Sequence, residues 1–165
     1  DGAKYQKYVQ SLTLETLITK TNKVLSQLST RYLLIKNQAA SLDLDVVDNE
    51  MDELVRATSN LSGGETFIVS LALALGLSEL TSNKIRIDSL FLDEGFGSLD
   101  EESLDKALTA LGNLNTFNKE SGHQKLIGVI SHVGQIHERI PVQINVTPQQ
   151  GGSSSLKGPG VQKLV

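Results

Sequence analysis

None of the 165 residues is a cysteine, which excludes a disulfide framework and a thiolate zinc site within this stretch. No uninterrupted apolar run is long enough to span a bilayer, and Asp1 opens no basic-then-apolar leader. A cytoplasmic address is the default expectation, with no membrane partner. Excess positive charge is also lacking: 15 basic against 19 acidic side chains leave a net charge of -4, so no basic face announces nucleic acid. Any DNA contact must be local or supplied by another segment. There is no Gly-Lys dipeptide, and without one the chain cannot form a Gly-x-x-x-x-Gly-Lys-Ser/Thr phosphate loop. It also carries no internal repeat. What remains, 39% hydrophobic and 21% charged residues, is the composition of an ordinary globular domain with a real core.

The most informative stretch is Asn60-Leu61-Ser62-Gly63-Gly64-Glu65. A Ser-Gly-Gly turn opening onto an amphipathic helix offers first-turn amides to an anion, and the glycines keep Cβ atoms out of the way. Leu90-Phe91-Leu92-Asp93-Glu94 is an apolar strand ending in two carboxylates, at the end where open α/β sheets bind ligands. Gly97-Ser98-Leu99-Asp100 follows, and later Ile127-Gly128-Val129-Ile130-Ser131-His132. Each has a plainer reading: carboxylates at a strand exit are usually solvated, Ser98 to Glu101 fits a helix capping box, and a lone histidine is usually structural. Asp88, at the opposite end of its strand, reads as a surface or capping residue, and His123 and His137 as surface residues.

Periodicity predicts a helix from Lys4 to about Asn37, with Tyr5, Tyr8, Leu12, Leu17, Val24, Leu28 and Tyr32 on its stripe and Thr13 capping a second segment. Leu42 to Val47 predicts a short antiparallel strand and Asp48 to Met51 a turn, after which Glu53 to Thr58 leads to the glycine loop. Glu65 to Leu80 predicts a helix burying Phe67, Ile68, Leu71, Ala72 and Leu75, with Ala72, Ala74 and Gly76 permitting close packing. Ile85 to Leu92 reads as a central parallel strand covered on both faces. A helix over Asp100 to Leu111, a strand over Lys125 to Ile130 and an edge strand over Val142 to Val146 complete an α/β pattern. The Gly- and Ser-rich stretch from Gln149 to Gly160 reads as mobile.

The order of these motifs resembles that of an ABC-type ATPase. Leu61 to Glu65 is similar to the signature motif, Asp93-Glu94 to the end of a Walker B strand, Ser98-Leu99-Asp100 to the D-loop and His132 to the switch histidine. Asp-Glu-Gly-Phe-Gly-Ser-Leu-Asp followed by Val-Ile-Ser-His most closely resembles the SbcC family of DNA-repair ATPases. That resemblance implies the C-terminal lobe of a split head with a mostly parallel sheet flanked by helices. The P-loop would lie in an N-terminal lobe across a long antiparallel coiled coil, whose zinc-hook cysteines lie at its apex. Residues 1–37 would then be the end of the coil's return helix, 38–148 the lobe and 149–165 a flexible tail.

By the same resemblance Leu61, Ser62, Gly63, Gly64 and Glu65 cap, in a second copy, the γ-phosphate of ATP held by the partner's P-loop. Asp93 holds Mg2+ through water, Glu94 polarises the attacking water and His132 contacts the γ-phosphate. The implied partners are the N-terminal lobe of the same polypeptide, a second copy, an SbcD-like nuclease and double-stranded DNA. The implied activity is an ATPase that dimerises on ATP and gates its partner nuclease in double-strand-break and hairpin processing, at the nucleoid in the cytoplasm. This stretch alone would be inactive. A chromosome-organising SMC-type ATPase shares the split-lobe plan and stands as the alternative. A transporter motor is disfavoured, because Asp-Glu-Gly-Phe stands where transporters carry Asp-Glu-Pro-Thr, and residues 1–60 hold no Q-loop or helical subdomain.

Overall fold

In a computed structural model, residues 2–39, 42–81, 89–120 and 126–162 are described. The chain forms two units, Asp1–Ser131 and His132–Val165.

The first unit begins with α1, Gly2–Leu28, whose residues 2–10 are all exposed and whose buried positions are Thr21, Val24, Leu25 and Leu28. Tyr5, Tyr8 and Leu12 are 72%, 68% and 54% exposed, so the N-terminal part of the apolar stripe is left largely uncovered by the described residues. The helix is unbroken at Thr13. Its hydroxyl donates back to the Val9 carbonyl at 2.9 Å, as Thr16 and Thr19 do to Leu12 and Glu15, which satisfies a threonine inside a helix and removes the cap expected there.

α1 also stops earlier than its stripe predicts. Tyr32–Lys36 is strand β1, with Tyr32 and Leu34 buried and Leu33 exposed. Apolar residues at 28 and 32 fit a helical period of four and an alternating strand equally well, and β-branched and aromatic content favours the strand. Asn22 on α1 settles the junction by pairing with both backbone groups of Leu34 at 2.8 Å.

β1 pairs antiparallel with β2, Leu44–Asp48, and β2 with β3, Leu54–Ala57. β2 begins two residues later than expected and takes in Asp48, which the sequence placed in the turn; the turn itself follows from Asn49. β3 lies in the segment expected only to lead to the glycine loop, and Asp52 and Glu53 reach it through left-handed φ of 51° and 57°. Register puts Leu34, Val46 and Arg56 in one row and Tyr32, Asp48 and Leu54 in the next. Tyr32, Leu34, Val46 and Asp48 are the buried members, so one face of the sheet carries both apolar and charged groups inward.

α2, Gly63–Thr81, packs on α1 and buries Ile68, Val69, Leu71, Ala72 and Leu75, while Phe67 is partly covered. The helices meet closely at Gly76, where a Cβ would stand 2.6 Å from the Thr21 hydroxyl and 2.8 Å from the Thr21 nitrogen. By length and composition Gly63–Leu80 is apolar enough to cross a membrane, which a search for uninterrupted runs misses because Ser70, Gly76 and Ser78 punctuate it. Its packing on α1 is that of a core helix.

β4, Ser89–Asp93, and β5, Leu126–Ile130, form a parallel pair joined through α3, Glu101–Glu120, giving the α/β unit expected. Among the described residues parallel pairing is confined to these two strands. β4 is not covered on both faces: Phe91 is 65% exposed, and Leu126 and Ile130 are exposed on β5, because no described layer of this chain lies over that side. Ile85 to Asp88, His123 and Lys125 lie outside the described residues.

The second unit holds α4, Gly134–Arg139, and a hairpin of β6, Asn145–Pro148, with β7, Ser154–Lys157, in which Val146 faces Leu156. The strand expected over 142–146 thus begins later. Its partner comes from the Gly- and Ser-rich 149–165 stretch expected to lack regular structure. Gly151 and Gly152, at φ of 90° and 80°, make the reversal that composition alone presents as a flexible tail.

Candidate functional site

β3 runs through a 3-10 turn, Thr58–Asn60, to an extended Leu61 and then directly into α2. Ser62 and Glu65 form a reciprocal cap. The Ser62 amide donates to Glu65 Oε2 at 2.7 Å, and the Glu65 amide donates to Ser62 Oγ at 3.4 Å. Thr66 N then begins the helical ladder on the Ser62 carbonyl at 2.8 Å. The amides of Gly63 and Gly64 precede that ladder and belong to the orphan first turn of the helix. A Ser-x-x-Glu box is therefore present at 62–65, a second role for residues that the sequence motif marks only as a signature loop.

The carboxylate of Glu65 is turned inward. It accepts from both terminal nitrogens of Arg56 at 3.2 and 3.1 Å and from the Tyr32 hydroxyl at 2.9 Å. The second Arg56 terminal nitrogen also donates to the Asn60 carbonyl at 2.8 Å. Behind Arg56 lies Asp48, fully buried, which accepts two bonds from Arg31 at 2.8 and 2.7 Å and one from Arg56 at 3.1 Å. The Arg56 guanidinium holds Glu65 down at about 2, and the Arg31 guanidinium does the same for Asp48. Burial, followed by its bond to Glu65, pushes the Tyr32 phenol well above its ordinary range. None of Arg31, Tyr32, Asp48 or Arg56 stands out in the sequence as a site residue. The available signal was a charged residue at an inward position of a short alternating strand, legible only once the register of β2 and β3 is known.

At the other end of the unit, the Glu94 amide continues the parallel ladder by donating to the Ile130 carbonyl at 2.9 Å. Glu94 then adopts φ 57° and Gly95 φ 91°, an uncommon left-handed pair that swings the chain off the sheet. A Cβ at Gly95 would fall on the Phe67 ring. Phe96, 1% exposed, meets Phe67 edge-on with ring centroids 4.6 Å apart, which anchors the 3-10 turn Phe96–Ser98 to α2. Asp93, Glu94 and Ser98 are exposed.

Ser98 does not cap α3. Its hydroxyl donates to the Gly95 carbonyl at 2.7 Å and closes the 3-10 turn. Asp100 takes the cap instead, accepting from the Ser103 amide at 2.8 Å and the Ser103 hydroxyl at 2.9 Å, bonds that hold its carboxyl below the usual range. The helix cap thus falls two residues later than the Ser98 box predicts.

These two loops touch. A Cβ on Gly63 would meet Ser98 Cβ at 3.6 Å, and one on Gly64 would stand 2.8 Å from the Ser98 carbonyl oxygen and 3.8 Å from a Leu99 methyl. Gly63 and Gly64 therefore share one wall with Ser98 and Leu99, and Phe96 and Phe67 meet edge-on beside it. His132 opens the second unit, exposed and just ahead of α4, where His137 Nδ1 lies 3.0 Å from Gln143 Oε1. Among the described residues no three histidine, aspartate or glutamate side chains gather in a metal-holding group.

Residues 36–113 match the family described as SbcC/RAD50-like, Walker B motif. The SbcC polypeptide of the SbcCD nuclease from Pseudomonas aeruginosa is 49% identical over 94% of this chain and 12% of its own length. Its counterpart from Rhodobacter capsulatus is 44% identical over 97% of this chain and 12% of its own length. The chain thus spans about one eighth of these curated relatives, 12% in each case. Among solved structures, the Smc head domain with a coiled coil and joint from Pyrococcus yayanosii superposes with a TM-score of 0.63 at 18% identity. The match covers 88% of this chain and 27% of that one, and likens the fold alone.

Proposed function

Because the chain belongs to the SbcC family of ABC/SMC-like ATPases, we propose that it is the signature-bearing lobe of an ATPase head that closes on ATP held by a second copy. The observation that carries this reading is the contact of the Ser62-Gly63-Gly64 turn with Ser98-Leu99 in a chain that has no P-loop. A lid and an interface loop are built as one wall, and the cradle for the α- and β-phosphates comes from elsewhere. In a head-to-tail dimer each copy would supply the lid for the other's nucleotide.

In this reading the Ser62 hydroxyl and the Gly63 and Gly64 amides donate to γ-phosphate oxygens, where the helix N-terminus favours negative charge. Asp93 is the residue that would hold magnesium, through water, as suits a small hard cation, and the ion offsets phosphate charge when bound. Glu94, exposed at the strand exit, accepts a proton from the attacking water as the bond from the γ-phosphorus to the bridging oxygen breaks. By the family resemblance alone, His132 is the residue that would contact the γ-phosphate. The exposed stripe of Tyr5, Tyr8 and Leu12 on α1 is the seam for the outgoing helix of a coiled coil.

The ATPase cycle would gate a nuclease made by another polypeptide, and the names of the relatives at 49% and 44% identity favour this over chromosome organisation. Titration calorimetry with Mg-ATP tests the lobe assignment. The chain alone should bind no nucleotide specifically, and binding and hydrolysis should appear together when a P-loop-bearing N-terminal lobe is supplied. Specific binding by the chain alone would contradict it. A pull-down of the full-length polypeptide that recovers a phosphoesterase nuclease would support the repair role, and a kleisin-like bridge would replace it with chromosome organisation.

A further inference from the structure

We infer that Arg56 is a positioning residue for the signature loop, holding Ser62 and the two glycine amides in place by gripping both ends of the loop with one guanidinium. This rests on the assignment of Leu61–Glu65 as a lid over the partner's nucleotide. At the entry of the loop Arg56 donates to the Asn60 carbonyl at 2.8 Å, and at its exit to both oxygens of Glu65 at 3.2 and 3.1 Å. Glu65 passes the constraint back to Ser62 through the 2.7 Å bond from the Ser62 amide. The residues between Asn60 and Glu65 are thus closed into a ring by a single side chain.

Arg56 is itself held. Asp48 accepts from it at 3.1 Å while accepting twice from Arg31, and the Tyr32 hydroxyl adds a further bond to Glu65. A buried cluster of this kind gains little stability over apolar packing of the same volume, since desolvation offsets attraction. What it supplies is direction. The planar fork fixes the angle of Glu65 relative to Asn60, which a lysine ammonium, a point donor on a flexible stem, cannot reproduce. The backbone amides that face phosphate have no rotamers of their own, so their aim depends on the loop being held at both ends.

The test uses the full-length ATPase with four variants: Arg56→Met, Arg56→Lys, Arg31→Met and Ser62→Arg. Dimerisation on a non-hydrolysable ATP analogue is followed by light scattering, with kcat, KM and melting temperature measured alongside. Arg56→Met should lower kcat and dimerisation about 10- to 100-fold, the scale of losing a partner that orients a functional group. Analogue affinity of the monomer should stay within about twofold, because that binding does not use the lid. Arg56→Lys should recover melting temperature but not kcat. Arg31→Met removes the stronger pair on Asp48 and reaches Glu65 only across 3.8 Å, so it should lower melting temperature and spare kcat. If Arg56→Lys restores kcat, or Arg31→Met loses kcat as fully as Arg56→Met, the cluster is merely structural and the inference fails. If Ser62→Arg abolishes dimerisation while Arg56→Met dimerises normally, the positioning role alone is overturned. If Ser62→Arg dimerises like the wild type, the lid assignment falls and this inference with it.

Discussion

A side chain on Gly64 would begin 2.8 Å from the carbonyl oxygen of Ser98, whereas one on Gly63 would meet Ser98 Cβ at an ordinary 3.6 Å. Neither glycine has a positive φ, so the difference between them is one of space. Gly64→Ala must push the Ser98-Leu99 segment away, at a cost of about 1–3 kcal/mol, the usual range for overpacking a tight site. Gly63→Ala should change stability by less than about 0.5 kcal/mol, since nothing has to move and alanine suits a helix. Urea unfolding of the two variants checks this, and equal stabilities would mean that the loops do not touch as described.

Acid should loosen the Leu61–Glu65 loop before pH 2 is reached. Asp48 and Glu65 ordinarily titrate at 3.8 and 4.5 and are held at about 2 here, by Arg31 and Arg56 respectively. Carboxylates with depressed folded values stabilise the protein fully above their unfolded values and lose that contribution as pH falls toward the folded ones. Melting temperature should therefore decline between about pH 4.5 and pH 2. In Glu65→Gln the decline should be shallower. A mutant curve parallel to the wild type across that window would show that Glu65 is not the coupled group.

Ser98 and Asp100 separate by function once α3 is known to be capped by Asp100. Asp100→Ala removes the acceptor for the Ser103 amide and should cost about 1 kcal/mol, the usual loss for a helix N-cap. Ser98→Ala should cost less than that, about 0.5 kcal/mol, because its bond closes an exposed 3-10 turn. The reverse order in thermal unfolding would restore the Ser98 capping box.

The family was more legible in this sequence than the geometry. The order of motifs from Leu61 to His132 places the chain among its relatives, whereas the capping box at Ser62 and Glu65 and the tight packing of Gly64 on Ser98 give the same glycine turn structural uses that the motif does not announce. β2 could be read because Leu44, Val46 and the turn after Asp48 alternate locally. β1 could not, since Leu28 and Tyr32 satisfy both periods and the pairing of Leu34 with Asn22 is a tertiary choice. Nor could the support of the loop be read. Arg56 meets Glu65 and Asp48 only because β3 pairs with β2 in the register that sets Arg56 opposite Val46, and a four-residue strand with exposed Leu54 and Val55 gives no periodic signal. β7 was hidden by composition, because the glycines that shape its turn are also the mark of a loose tail.

The most direct test of the account is the rate of ATP hydrolysis by Glu94→Gln in the ATPase assembled with its P-loop lobe. Glu94 sits at φ 57° at the end of β4, an uncommon backbone conformation that fixes where its side chain leaves the sheet. Replacing its carboxylate by an amide of the same shape removes the proposed proton acceptor and leaves the Ser62-Gly63-Gly64 turn and Asp93 unchanged. Nucleotide binding should persist, hydrolysis should slow by about 10²-fold or more, and an ATP-bound dimer should accumulate. Hydrolysis at the wild-type rate, with no trapped dimer, would contradict the assignment of this carboxylate and of the site built around it.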